Sequence, residues 1–211
     1  MKQKTITHCS LTAIAIGIFI FSSLNCGGSK PSRFYSLTPV KQLTGDFKTE
    51  PVTRIAIGIR TMKLPEYLLR EQIVTRTASD EITMSEFNRW AEPLEENFKR
   101  VLIEDLSKDV PTNNVFLFPA KDSNVTNYQI LLEVTQFEPR DNVVNLAARW
   151  GISKGEAAVF LLDKHSAFTE QISGDNSQGF ESIVAAMSRL TGKLSGDIAA
   201  EIRNKAGVAG K

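Results

Sequence analysis

Histidine and cysteine are almost missing from this chain. Its 211 residues hold two of each. A zinc or iron centre of imidazole and thiolate ligands gathers three or four such groups at one point, so the sequence excludes one. Disulfides have little to draw on either, and stability must come from an ordinary core, which a chain of this length can bury. Charge of one sign is also missing: 25 Lys and Arg stand against 24 Asp and Glu. A nucleic-acid-binding domain carries a basic face that this balance does not provide. The signatures H-E-x-x-H, G-x-x-x-x-G-K-[ST] and C-x-x-C are all absent. These would mark a zinc protease, a phosphate loop or a redox dithiol. G-x-S-x-G occurs once, at Gly151 to Gly155, but between two stretches that read as strands and not at the strand-to-helix turn that a nucleophile elbow needs. No apolar run reaches the roughly 20 residues that a spanning helix needs.

What is present starts at the N-terminus. Lys2 and Lys4 form a basic start, Leu11 to Phe21 is apolar and uncharged, and Ser22-Ser23-Leu24-Asn25 leads into Cys26. Basic, apolar, small or polar, then cleavage is the order of a signal peptide. Residues 1–25 are therefore expected to be removed, leaving Cys26 as a lipid-bearing N-terminus. The Leu24-Asn25-Cys26 step resembles a loose form of the lipid box, which usually has Leu three residues before the cysteine and a small residue directly before it. Ordinary secretion with an incidental Cys26, and an uncleaved N-terminal anchor, are the alternatives. Acylation would remove a lone exported thiol, which is prone to oxidation and wrong pairing. Gly27 rather than Asp after the cysteine resembles the signal for outer-membrane sorting. Residues 26–32 read as a lipidated tether with a reach of about 20–25 Å. The domain, 33–206, is thus expected close to a membrane.

Hydrophobic periodicity then outlines an α/β fold. Phe34 to Leu37 reads as a first strand, ended by Pro39. In Arg54 to Arg60, Ile55, Ile57 and Ile59 share one face by the period of two. Ala56 and Gly58 occupy the other face, where small residues would admit a helix. That predicts a central strand covered on both sides and a three-layer arrangement. Gln72 to Thr77 and Glu81 to Met84 read as a hairpin. Pro93 to Lys108 reads as a helix with Leu94, Phe98, Val101, Leu102 and Leu106 on one stripe. Val115 to Phe118 is a short strand. Tyr128–Phe137, Val143–Ile152 and Ala157–Phe168, joined by short turns, predict an antiparallel meander. Val144, Leu146, Ala148, Trp150 and Ile152 are its expected buried face. Ser177 to Asn204 closes the chain as a long amphipathic helix weakened at Gly192 and Gly196. The expected fold is a mixed sheet with an antiparallel meander and two main amphipathic helices.

Catalytic candidates are few. Asp163 and His165 would point the same way on a strand, as a base and its orienter would. A solvated strand end accounts for them as well. Glu92, Glu95 and Glu96 suit the positive end of a helix without any metal. Two connections stand out more. Met62 to Glu71 places Leu64, Tyr67, Leu68 and Leu69 in what reads as a loop. Phe87 to Leu94 places Arg89 and Trp90 at a helix entry. Aromatic and arginine side chains in such places are typical interface anchors. Leu64, Tyr67, Leu68, Arg70, Arg89 and Trp90 are therefore the candidate partner-binding residues, with Arg76 as a further directional donor. The alternative is that both connections fold onto their own core.

These segments carry a resemblance. Phe34-Tyr35-Ser36-Leu37, Ile55 to Ile59, Leu64-Pro65-Glu66-Tyr67-Leu68, Gln72-Ile73-Val74-Thr75-Arg76 and Glu86 to Leu94, in this order and spacing, resemble the ABC-type transport auxiliary lipoprotein family. This is the lipoprotein of paraquat-inducible, MCE-type lipid transport systems. From about Pro119 the likeness is one of element order. The resemblance implies a three-layer α/β fold and a non-catalytic protein without cofactor or metal. It also implies a lipid tether in the cell envelope, at the periplasmic face of the outer rather than the inner membrane. The implied partners are an MCE-family protein and inner-membrane ABC-type transport components, with a possible homo-oligomer. A free-standing envelope lipoprotein that binds an external ligand is the competing class, followed by an envelope hydrolase using Asp163 and His165.

Overall fold

Alternation along Val143–Lys154 sets the sheet. Val144, Leu146, Ala148, Trp150 and Ile152 are buried, as expected, while Asn145 is half-exposed and Arg149 exposed. The computed structural model describes residues 30–40, 55–110, 112, 114–119, 126–155, 159–172 and 179–207. The predicted signal peptide and Cys26 lie outside them. In chain order the strands are β1 (Arg33–Tyr35), β2 (Ile57–Lys63), β3 (Gln72–Arg76), β4 (Ile82–Trp90), β5 (Val115–Leu117), β6 (Tyr128–Arg140), β7 (Val143–Lys154) and β8 (Val159–Gln171). A 3-10 turn, Glu66–Leu68, lies between β2 and β3, and the helices are α1 (Leu94–Asp109) and α2 (Phe180–Ala206).

β6, β7 and β8 form the expected antiparallel meander. The β6–β7 turn is shorter than predicted. β6 runs through Pro139 and Arg140, and Asp141 takes the left-handed conformation, φ 55°. β6 gives one edge to β7 along its whole length. Its other edge is divided. Tyr128–Glu133 pair parallel with β2, and Arg140 pairs parallel with Arg76 of β3. The sheet therefore forks, with β5 beyond β2 on one branch and β4 and β1 beyond β3 on the other. It is not closed. Parallel and antiparallel ladders meet on β6, so the sheet is mixed, as the sequence predicts.

Both helices lie on one face of this sheet. Phe137 of β6 is opposite Leu146, and Trp150 of β7 is opposite Leu132, which puts these side chains on a common face. On that face Phe98 of α1 meets Phe137 edge-on, ring centroids 5.1 Å apart. α2 reaches the same face through a chain of hydrogen bonds: Trp150 Nε1–H donates to Ser166 Oγ (2.9 Å), and Ser166 donates to Asp197. Ser36–Val40 lies against both helices. Arg100 of α1 donates to the Leu37 carbonyl, and the Thr38 N–H donates to Ser188 Oγ of α2 (3.1 Å). Among the described residues no third layer covers the reverse face of the sheet. The small residues that suggested one have other neighbours: a Cβ on Gly58 would meet Phe118, Thr126 and Phe116 side chains at 3.4–3.5 Å. That space is filled from the β5 branch and not by a helix.

One predicted connection is a strand. Phe87 to Trp90 is the end of β4, and β1 pairs parallel with it: Phe34 opposite Arg89, Tyr35 opposite Trp90. The Arg54–Arg60 strand starts and ends later than expected, with a bulge at Arg60. The displaced Arg60 guanidinium donates to Gln129 Oε1 (2.9 Å).

Candidate docking cleft

The two connections singled out in the sequence come together at one end of the sheet. Backbone hydrogen bonds knit them. The Trp90 N–H donates to the Glu71 carbonyl (2.7 Å), and the Ala91 N–H donates to the Tyr35 carbonyl (2.8 Å). The loop before β3, the end of β4 and the start of the fold at β1 thus form one rim. Between them lies a cleft of about 540 Å³, lined by Phe34, Leu69–Glu71 and Arg89–Leu94.

Within this rim the candidate residues separate into two groups. Leu64, Leu68 and Trp90 are core residues, at 6%, 2% and 5% exposure. They do not stand out as surface anchors. The loop folds onto its own core because Leu64 and Leu68 continue the apolar face past the end of β2, and β1 covers Trp90. Arg70 is exposed and has no ion-pair partner among the described residues. Arg89 is half-exposed and pairs with Glu71 across the rim, Nη1 to Oε2 3.1 Å. Two large apolar side chains stand clear of the surface here, Phe34 at 64% and Leu69 at 48% exposure. Sequence reasoning had Phe34 as a strand residue only. An aromatic side chain just after the tether was the signal that could have marked it.

Tyr67 is half-buried and serves the fold. Its hydroxyl donates to Glu138 Oε2 (2.8 Å), while Arg76 Nε donates to Glu138 Oε1 (2.8 Å). The Phe137 N–H donates to the same carboxylate (2.9 Å). Burial, then the bond to Glu138, raises the Tyr67 hydroxyl to about 12. The bond to Glu138 likewise raises Arg76. Glu138 is fully buried where the sheet forks, and its acceptors are satisfied from the 3-10 turn, β3 and β6. This cluster ties the 3-10 turn and the β3 branch to β6. The sequence placed Glu138 in a turn, so its burial left no trace there.

Asp163 and His165 are exposed on β8, on the same face, opposite Gly151 and Arg149 of β7. Neither makes a hydrogen bond or ion pair among the described residues, so the arrangement of a base and its orienter is not formed. Among the described residues no group of three or more His, Cys, Asp or Glu could hold a metal ion.

An open, forked mixed sheet with two helices on one face, and an amphipathic cleft where the chain enters the fold, defines an α/β domain with a surface-lying candidate site. A crystal structure of an uncharacterized protein shares this fold with TM-score 0.66 at 19% identity, covering 82% of this chain and 99% of its own. So does protein XCC0632 from Xanthomonas campestris, with TM-score 0.62 at 10% identity and the same coverage. No curated protein matches the chain. The family model described as ABC-type transport auxiliary lipoprotein component matches residues 35–199, and the chain belongs to that family. It is thus an auxiliary lipoprotein of ABC-type transport and a protein of the cell envelope.

Proposed function

We propose that the chain is a non-catalytic, lipid-anchored component of an ABC/MCE-type lipid transport system, held at the periplasmic face of the outer membrane through Cys26. The observation that carries this reading is the family match, which runs from the end of β1 into α2 and so spans both helices and the fork. The cleft supports it. The segments on which the resemblance rests, Leu64–Leu68 and Glu86–Leu94, are those that converge at the rim. The cleft end, with Arg70, Arg89, Leu69 and Phe34, is the contact surface of the domain.

Purification of the full-length lipoprotein from its native envelope in mild detergent tests the role. An MCE protein and a transport permease are expected in the eluate, and separation of the membranes by density is expected to place the chain in the outer one. Recovery of the lipoprotein without either partner would count against the MCE reading. Digestion of the domain by protease added to intact cells would favour the free-standing ligand binder.

A further inference from the structure

We infer that the cleft end is a membrane-apposed face, and that what covers Phe34 and Leu69 is the lipid bilayer carrying the protein's own anchor. The inference rests on the lipid anchor at Cys26 in the proposed function and names what the contact surface touches. Three observations carry it.

The first is covalent reach. Phe34 lies eight positions after Cys26, and eight extended residues span at most about 26–29 Å. Among the described residues no other exposed large apolar side chain is so close along the chain to the anchoring residue. The others, Met84, Leu117, Val159 and Phe160, are far along the chain and lie outside this cleft.

The second is the chemistry of the rim. Phe34 and Leu69 project from two different elements, β1 and the loop before β3, and line one cleft. A protein surface seldom keeps such side chains exposed side by side without a use. An apolar tip flanked by arginine suits the boundary between headgroups and acyl chains, where the tip enters the apolar layer and the guanidinium stays among phosphates.

The third is charge. The two carboxylates that line the cleft are paired, Glu71 with Arg89 (3.1 Å) and Glu92 with Arg100 (2.8 Å), while Glu66, in the turn before the rim, is exposed and has no ion pair among the described residues. Arg70 is left over, exposed beside Leu69. A single unpaired guanidinium next to exposed leucine and phenylalanine matches a phosphate-bearing, apolar-backed surface better than an acidic protein patch, which would call for more free cations.

The full-length acylated lipoprotein, reconstituted in vesicles of phosphatidylethanolamine and phosphatidylglycerol, provides the test. A polarity-sensitive fluorophore is placed in turn at F34C, L69C and F160C, and lipids with a spin-label quencher on the acyl chain are added. The labels at positions 34 and 69 are expected to shift to the blue and lose intensity to the quencher. The label at 160 is expected to keep its aqueous spectrum. L69E combined with R70E is expected to abolish both changes at position 34 without releasing the protein from the vesicle. Aqueous, unquenched labels at 34 and 69 overturn the inference. So does equal quenching at all three positions, or a label that responds only once transport partners are added, which would make a protein the occupant. A Cys26 without acyl groups overturns it as well. Failure of the transport reading registers differently, as partners missing from the eluate while position-selective quenching persists.

Discussion

Trp90 and Arg70 sit on the same rim, and single substitutions should tell them apart. Trp90 is buried, so Trp90→Ala is expected to cost about 3–5 kcal/mol of stability. Arg70→Ala should stay within about 0.5 kcal/mol. Urea denaturation of both variants checks this, and an unchanged midpoint for Trp90→Ala would contradict its place in the core. Glu138 is fully buried and accepts from three elements. Glu138→Ala would leave the Tyr67 hydroxyl, Arg76 and the Phe137 N–H without their acceptor, at an expected cost of about 3–5 kcal/mol. Tyr67→Phe removes one bond and should cost about 1 kcal/mol. Asp105 gives a pH signature. It is buried on α1, which raises its carboxyl from 3.8 to about 6. Lys108 opposes the shift, as does the Val40 N–H, while Asp109 and Glu104 add to it. Between those two values the folded chain holds a proton that the unfolded chain has released. Stability therefore falls as pH rises through that window, and above about 6 the charged carboxylate is a standing cost. Asp105→Asn is expected to stabilise the protein at pH 7 by about 1–3 kcal/mol and to flatten the profile across the window. A pH series of thermal melts reads both effects.

Elements differ in how openly the sequence declares them. β7 was legible because its two faces meet different surroundings, so Val144 to Ile152 alternate cleanly. The stripe on α2 was legible for the same reason, and Ile183, Leu190, Leu194 and Ile198 are all buried. The end of β4 was not legible. Glu86 to Trp90 lies beside the short β1, and neither strand shows the alternation of a half-buried ladder. The cleft was half legible: its two segments were found, but which side chains turn inward depends on β1, which comes from far away in sequence. The two glycines of α2 looked equivalent and are not. A Cβ at Gly196 would meet nothing within 4 Å, whereas one at Gly192 would collide with Val40. Gly196→Ala is expected to stabilise by about 0.5–1 kcal/mol through helix propensity. Gly192→Ala should destabilise by about 1–3 kcal/mol, because Ser36–Val40 must be displaced from its seat against the helices. Calorimetry on the pair should give shifts of opposite sign. β8 shows how an outer strand is kept in place. Its inward Lys164 binds Glu201 (2.8 Å), and its Glu170 binds Arg189 (2.7 Å) and Lys193 (2.6 Å), both on α2. The bonds to Lys193 and Arg189 hold the Glu170 carboxyl below its usual value. Charges that point inward from an edge also discourage pairing with a foreign strand.

At the scale of the molecule, the tether and the fork are the two features with consequences. Cys26→Ser is expected to move the chain out of the membrane fraction while leaving the fold intact, since the described fold begins beyond the tether. Sedimentation of the variant, with mass spectrometry of the mature wild-type N-terminus, checks this. An unmodified Cys26, or cleavage elsewhere, would remove the anchor from the account. The fork bears on timing. A chain that crosses a membrane N-terminus first delivers β1 to β4 before β6 exists on the far side. β2 finds both of its neighbours, β5 and β6, only downstream, and the branch of β3 and β4 meets β6 through the Arg76–Arg140 pairing and the Glu138 cluster, also downstream. The early strands can make a hairpin and little more. The β6–β8 meander is local and quick to form, and it arrives after the earlier strands as the template on which they assemble. Until then Ile57, Ile59 and Ile73 remain uncovered. The first half of this lipoprotein is therefore expected to cross unfolded, its two branches joining only after β6 has emerged.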